Sequence, residues 1–154
     1  MRHAKAEKAV KHAWDPAEDK NRQLSASGMG DAAAVGRWFR NRGSIPGLAL
    51  VSPARRAVQT WEIAAREMGA ALPARFEPDL YGAEVSNLLH LVRSLPPEFT
   101  SAIVVGHNPS LSELIGEDLA TCALARLELP EWAALNPDPR NVKVRKIRGD
   151  DDGE

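Results

Sequence analysis

The sequence contains a single cysteine and lacks any long apolar run. One cysteine, Cys122, excludes an internal disulfide and cannot form a cysteine zinc site alone. No apolar stretch approaches the roughly 20 residues needed to span a bilayer, and the polar start of the chain has no apolar region typical of a signal peptide. We therefore expect a cytoplasmic protein in a reducing compartment.

The sequence also has few aromatic residues and a net charge close to zero. Only 5% of the residues are aromatic, so alanine, leucine and valine must fill the core. The formal net charge is -1, which argues against a general binder of nucleic acid or of membrane surfaces. Any site for an anion must therefore be built from a local cluster of cations.

Length and composition are those of one globular domain. The 154 residues are 44% apolar and 27% charged, which is ordinary for a soluble domain with a sizeable core. We predict a single domain over residues 1–148. Residues 149–154 form an acidic tail that we expect to be disordered.

Apolar runs bounded by turn residues alternate with helical patterns along the chain. Predicted helices cover residues 28–42, 54–68, 85–95 and 111–119, with Ser27 as the cap of the first. Predicted strands cover residues 48–52, 74–78, 101–105, 123–129 and 141–147, the second at a sheet edge because of its proline. Residues 4–25 are predicted as a loop over a site. The alternation predicts an α/β fold whose mainly parallel sheet is covered on both faces.

Two polar segments directly follow the two apolar strands. Ser52-Pro53-Ala54-Arg55-Arg56 follows one, and Gly106-His107-Asn108-Pro109 follows the other. Ligands bind beyond the carboxyl ends of strands in such sheets, so the segments should converge there. Taken alone, His107 is more often a structural histidine, and either arginine is more often solvated. Together they indicate a site where a guanidinium binds two phosphoryl oxygens.

Metal binding is not indicated. The histidines His3, His12, His90 and His107, with Cys122, have neither the spacing of a zinc finger nor that of a metalloprotease. We predict no metal and no cofactor.

Several separated motifs resemble the histidine phosphatase superfamily, which includes the phosphoglycerate mutases. They occur in the family's order over roughly residues 2–119. The matching segments are Arg2-His3-Ala4-Lys5, Arg22-Gln23-Leu24-Ser25-Ala26-Ser27-Gly28, Ser52-Pro53-Ala54-Arg55-Arg56-Ala57-Val58-Gln59-Thr60, Leu80-Tyr81-Gly82-Ala83 and Val104-Val105-Gly106-His107-Asn108-Pro109. The short chain, the Arg-His-Ala-Lys opening and the Gly-His-Asn-Pro run are most similar to SixA-type phosphohistidine phosphatases.

The resemblance implies roles for particular residues. The fold would be a phosphoglycerate-mutase-like three-layer sandwich. His3 and His107 would be catalytic, with His3 as the nucleophile, and Arg2, Arg56 and His107 would bind the phosphoryl group. Arg56 is chosen over Arg55 because the family pattern places its arginine directly before a continuation like the one that begins at Ala57 here.

The resemblance also implies a function. We expect a metal-independent phosphatase that hydrolyses protein phosphohistidine through a phosphohistidine enzyme intermediate. Its partner would be a phosphorylated protein, such as a phosphohistidine carrier domain. Two alternatives stay open, a phosphatase of a small phosphomonoester and a degenerate, non-catalytic phosphate-binding or interaction module. Glu84 and Asp79 are weak candidates for a general acid, and Glu84 equally fits a charge at a helix start.

One departure from the family concerns the first strand. Family members carry a central apolar strand before the Arg-His pair, whereas only Met1 precedes Arg2 here. We therefore expect the first strand to be missing or truncated. Its loss would expose two neighbouring strands and leave His3 on a frayed end.

Overall fold

A computed structural model describes residues 1–10 and 13–148. The predicted acidic tail over residues 149–154 lies outside this part of the chain. The single-domain assignment over residues 1–148 stays a prediction.

Helices and strands alternate through the described residues. The α-helices are α1 (Pro16–Lys20), α2 (Ala26–Arg42), α3 (Arg55–Met68), α4 (Val85–Arg93) and α5 (Ser110–Ile115). The strands are β1 (Ala49–Val51), β2 (Ala74–Phe76), β3 (Ile103–Val105), β4 (Ala123–Arg126) and β5 (Lys143–Lys146). Two 3-10 turns lie at Pro78–Leu80 and Trp132–Ala134.

The central sheet is parallel and has the order β2-β1-β3. β2 is at its edge, as predicted, although Pro78, on which that prediction rested, follows β2 in a 3-10 turn. β4 pairs with β5 in antiparallel orientation. The parallel sheet within an alternating chain confirms the predicted α/β fold.

The alternation of side chains along β1 separates two cores. Ala49 and Val51 belong to an apolar cluster that includes residues of α2 and α3. Leu48 and Leu50 belong to a second cluster, which includes residues of α4 and α5. Because successive strand residues point to opposite faces, this division gives the sheet a helical layer on each side.

The first three residues are part of the sheet region, so the expectation of a frayed His3 is wrong. Arg2 forms a parallel bridge with Gly106, and the Met1 and His3 nitrogens donate to Val104 and Gly106 oxygens at 2.8 and 3.0 Å. On the other side, the Arg2 nitrogen donates to the Ala123 oxygen at 3.2 Å. The backbone bonds of these residues therefore reach both neighbouring segments, β3 with Gly106 on one side and β4 on the other.

Two local predictions need correction. The segment predicted as a loop contains α1, which Asp15 caps through its side chain and which begins at Pro16. The cap of α2 is Ser25, whose hydroxyl accepts from the Gly28 nitrogen at 3.1 Å; it is not Ser27. The cap of α2 was misplaced because only backbone geometry separates two nearby serines, whereas α1 was missed because it buries no residue and so shows no apolar periodicity.

Candidate active site

Three segments meet at the carboxyl end of the parallel sheet. His3 follows the N-terminal bridge, Ser52 and Arg56 follow β1, and His107 follows β3. The His3 and His107 rings lie 5.1 Å apart between centroids, and only 8% of His3 is exposed. The convergence expected from strand ends is therefore present.

The surroundings of His3 determine which ring nitrogen is available. Nδ1 lies 2.7 Å from the Ala4 carbonyl oxygen, which can only accept, so Nδ1 carries the hydrogen. Burial lowers the pKa of His3 to about 4; the Ala4 hydrogen bond opposes this shift and the nearby arginines add to it. At neutral pH the ring is uncharged, and its lone pair is on Nε2.

His107 is also an uncharged imidazole. Burial, together with the nearby His3 and Arg56, lowers its pKa to about 3. Its Nε2 lies 2.7 Å from Ser52 Oγ. Nδ1 is buried and has no hydrogen-bond partner among the described residues. If the Ser52 hydroxyl donates to Nε2, Nδ1 carries a hydrogen that an acceptor entering the site can receive.

The two adjacent arginines of α3 have different surroundings. Arg55 is exposed, whereas Arg56 is 6% exposed. Arg56 Nη1 donates to the Asp19 backbone oxygen at 2.7 Å, and its Nη2 lies 3.2 Å from Asp19 Oδ2. Its buried Nε has no partner within residues 1–10 and 13–148. Arg56 is thus the buried arginine of the pair, and its charge acts on both His3 and His107.

Arg2 completes the cluster of cations. Its Nη1 donates to the Leu119 oxygen at 3.1 Å, while its buried Nε is unpartnered in the described part of the chain. Burial lowers the pKa of Arg2, with Asp118 opposing and Arg56 adding to the shift. Arg2, Arg56 and His107 each present a buried nitrogen that has no hydrogen-bond partner among the described residues, an arrangement that suits an oxyanion.

Sequence reasoning missed a carboxylate in this site. Asp19 Oδ2 accepts a hydrogen bond from the Tyr81 hydroxyl at 2.7 Å, and Oδ1 lies 3.0 Å from Arg22 Nη2. The Tyr81 ring lies 5.9 Å from the His107 ring, edge to face. The signal that could have located Asp19 is the Asp15-Pro16 pair, which is typical of a helix start.

The two weak candidates for a general acid are both exposed. Glu84 is the cap of α4, where its backbone nitrogen donates to Asn87 Oδ1 at 2.8 Å. Asp79 is in the 3-10 turn before Tyr81. Glu84 therefore lies at the start of a helix, which is the alternative interpretation that the sequence offered for it.

The described residues contain neither a metal-binding cluster nor a membrane-spanning helix. Over residues 1–10 and 13–148, no group of three or more His, Cys, Asp or Glu is arranged to hold a metal ion. In the same part of the chain, no helix has both the length and the apolar character needed to cross a bilayer.

Comparison with known proteins relates this geometry to a family. Residues 1–91 match the model of the histidine phosphatase superfamily (branch 1). An uncharacterized protein of Mycobacterium tuberculosis (strain ATCC 25618 / H37Rv) is 32% identical over 155 residues, covering 89% of this chain and 92% of that protein.

Solved structures agree with the family match. SixA from Nakamurella multipartitia is 26% identical, with a TM-score of 0.72 over 96% of this chain and 93% of that one. SixA from Agrobacterium tumefaciens is 28% identical, with a TM-score of 0.71 over 81% and 86%. The protein histidine phosphatase SixA complexed with tungstate is 25% identical, with a TM-score of 0.72 over 97% and 94%.

The chain belongs to the histidine phosphatase superfamily, and its fold is that of the phosphoglycerate-mutase-like, SixA-type members. It is a phosphatase, and thus a hydrolase. The resemblance read from the separated motifs is confirmed.

Proposed function

We propose that this phosphatase hydrolyses phosphohistidine on proteins through a phosphorylated His3. The observation that carries the proposal is the state of the His3 ring, which is neutral, buried, and hydrogen-bonded through Nδ1 to the Ala4 oxygen. Its Nε2 lone pair is therefore available as a nucleophile toward phosphorus. A ring fixed in one tautomer reacts without first changing its hydrogen bonds.

Three residues would bind the phosphoryl oxygens. Arg2 and Arg56 supply charge through Nε–H groups that have no partner among the described residues, and His107 supplies a neutral Nδ1–H when the Ser52 hydroxyl donates to its Nε2. These donors stabilise charge on the equatorial oxygens during an in-line transfer, a task that other phosphoryl-transfer enzymes give to metal ions. The tungstate complex of a SixA protein supports this proposal, because tungstate is a tetrahedral oxyanion.

The reaction would proceed in two displacements. His3 Nε2 bonds to phosphorus, and the phosphorus–nitrogen bond of the substrate breaks, with its electron pair returning to the substrate nitrogen. Water then bonds to phosphorus, and the bond to His3 Nε2 breaks in turn. The water keeps both protons in the departing dihydrogen phosphate, and His3 regains its lone pair while Nδ1 keeps its hydrogen. Neither displacement requires a proton from the protein.

The absence of this requirement favours a phosphoramidate over a sugar phosphate. A phosphorylated imidazole that is protonated on its second nitrogen leaves as neutral imidazole, whereas an alkoxide needs an acid. The two carboxylates weighed as acids, Glu84 and Asp79, are exposed. We propose a cytoplasmic phosphorylated protein as the partner, such as a phosphohistidine carrier domain.

The experiment is to trap the phosphorylated enzyme. Wild-type protein mixed briefly with radiolabelled phosphohistidine should retain acid-labile, base-stable label, and peptide mapping should locate it on His3. His3→Asn should retain none and should lose turnover. His90→Asn is the matched control because His90 is an exposed histidine on α4.

Label on another residue, or turnover that persists in His3→Asn, would remove His3 from the mechanism. Binding of vanadate without turnover in the wild-type protein would instead favour the non-catalytic phosphate-binding alternative.

A further inference from the structure

The reaction proposed above leaves one carboxylate of the site without a role. Asp19 contacts Tyr81, Arg22 and Arg56 at 2.7, 3.0 and 3.2 Å. Its side chain is 20% exposed, whereas that of Arg56 is 7% exposed. Asp19 is therefore the more exposed of these two partners.

Asp19 is held as an anion. Burial alone would raise its pKa, but the Tyr81 hydrogen bond and the charges of Arg56 and Arg22 lower it below the usual value. A carboxylate that remains ionised donates no proton and so does not act as a general acid at neutral pH. It does accept hydrogen bonds from N–H groups.

Asp19 and a phosphoryl group can bind Arg56 together. Asp19 engages Nη1 and Nη2, which form one edge of the guanidinium. The other edge consists of Nε–H and the second Nη2–H, and the Nε is unpartnered in the described residues. A phosphoryl group on that edge would lie beside Asp19 without displacing it.

Asp19 is linked to His107 in two ways. Its negative charge raises the pKa of His107. Tyr81 bridges the two, since its hydroxyl contacts Asp19 and its ring packs edge to face on His107. In an in-line displacement the leaving group departs on the side opposite the nucleophile, away from His3.

We propose that Asp19 determines specificity for phosphohistidine by accepting a hydrogen bond from the second ring nitrogen of the phosphorylated imidazole. This inference rests on the proposed function. The contact keeps that nitrogen protonated, so the phosphorus–nitrogen bond breaks, the electron pair stays on the ring, and neutral imidazole departs with its proton. Asp19 would thus accept the hydrogen of the second ring nitrogen of the substrate, as the Ala4 oxygen accepts the Nδ1 hydrogen of His3.

The test compares two substrates in Asp19→Asn. For free phosphohistidine, kcat/KM should fall about tenfold or more, as for loss of a hydrogen bond to a charged group. For para-nitrophenyl phosphate, whose leaving group has no N–H, kcat/KM should fall by a clearly smaller factor, because only the contact between Asp19 and Arg56 is altered. Glu62→Gln, an exposed carboxylate of α3, should change neither value.

A pH profile separates this role from a structural one. The groups that face Asp19 are Arg22, Arg56, Tyr81 and His107; the pKa of Tyr81 is raised to about 12 by burial and by Asp19, and that of His107 is lowered to about 3. The alkaline limb of kcat for phosphohistidine therefore reports the ionisation of the substrate ring in the enzyme–substrate complex. In Asp19→Asn this limb should move to lower pH.

Equal losses on both substrates, with an unmoved limb, would overturn the inference and leave Asp19 as an anchor of Arg56. Asp19→Ala measures that anchoring, because it removes the contact which asparagine can keep, and it should impair both substrates. Folding is checked by thermal melts, and α1 buries no residue whose loss would unfold the core. A wild-type protein that forms no phosphorylated His3 would overturn the proposed function itself, independently of any Asp19 variant.

Discussion

Arg55 and Arg56 are adjacent in sequence, but the side chain of Arg55 is exposed and that of Arg56 is buried. Helix residues are separated by about 100° around the axis, so only one of two neighbours can face the site. Arg56 contacts Asp19, while Arg55 faces solvent. The family pattern selected Arg56, but composition and spacing alone did not distinguish the two.

The paired arginines provide an internal control for anion binding. Arg56→Ala should weaken vanadate binding by about 2–5 kcal/mol, since it removes one partner of a buried charged contact. Arg55→Ala should leave binding near wild type. Isothermal titration calorimetry at constant ionic strength measures both affinities. Equal weakening in the two variants would mean that bulk positive charge, rather than a directed guanidinium, holds the anion.

The residues of the site differ in how far sequence could locate them. His3, Arg56 and His107 lie in short motifs whose order matches a family. Asp19 lies 37 positions from Arg56, and no local pattern records a contact at that separation. A side chain that acts through a distant partner becomes visible only in three dimensions.

At the scale of elements, the prediction failed where burial was absent. α2 and α3 show apolar faces and were predicted within one or two residues, whereas α1 has five residues and buries none of them. A helix without an apolar face produces no periodicity, so its only sequence signals are its ends. That short helix is nonetheless the element that carries Asp19.

The contact between α2 and α3 depends on a close backbone approach. A Cβ added to Gly36 would lie 2.3 Å from the Ala64 backbone oxygen, whereas one added to Gly30 meets nothing within 4 Å. Gly30→Ala should stabilise the protein by about 0.5–1 kcal/mol, the usual gain within a helix. Gly36→Ala should destabilise it, because the helices must move apart. Urea unfolding measures both, and stabilisation by Gly36→Ala would show that this approach is not required.

At the scale of the molecule, the alternation of apolar strands and helices was sufficient to predict the fold. The strand formed by the first residues was not predictable, because it is held by backbone hydrogen bonds from Met1, Arg2 and His3. Backbone groups are the same in every residue type and leave no trace in composition. The sequence therefore indicated a frayed end where the structure has a sheet position.

The two buried imidazoles should make the whole molecule sensitive to acid. In the folded state the pKa values of His3 and His107 are lowered to about 4 and about 3, whereas the ordinary value is 6.5. The unfolded chain then binds more protons below pH 6.5, so stability falls as the pH drops from 6.5 toward 4. Over this range, each imidazole lowers the free energy of unfolding by up to about 1.4 kcal/mol for each pH unit of acidification.

Urea unfolding over this pH range measures the loss, and His107→Asn should reduce its slope while His90→Asn should not. An unchanged slope in His107→Asn would mean that His107 titrates normally. Nuclear magnetic resonance titration of the ring protons gives the same answer residue by residue.

The bridge between Arg2 and Gly106 has one more consequence, since His3 and His107 are the next residues along two hydrogen-bonded parallel chains. Adjacent β-chains lie about 4.7–4.9 Å apart in any sheet, and the two rings are 5.1 Å apart. The distance between the two imidazoles is thus close to the spacing of adjacent strands in a β-sheet. Repacking of the outer helices can change the stability of the fold. The distance between the imidazoles should stay the same as long as the hydrogen bonds between these two chains are intact.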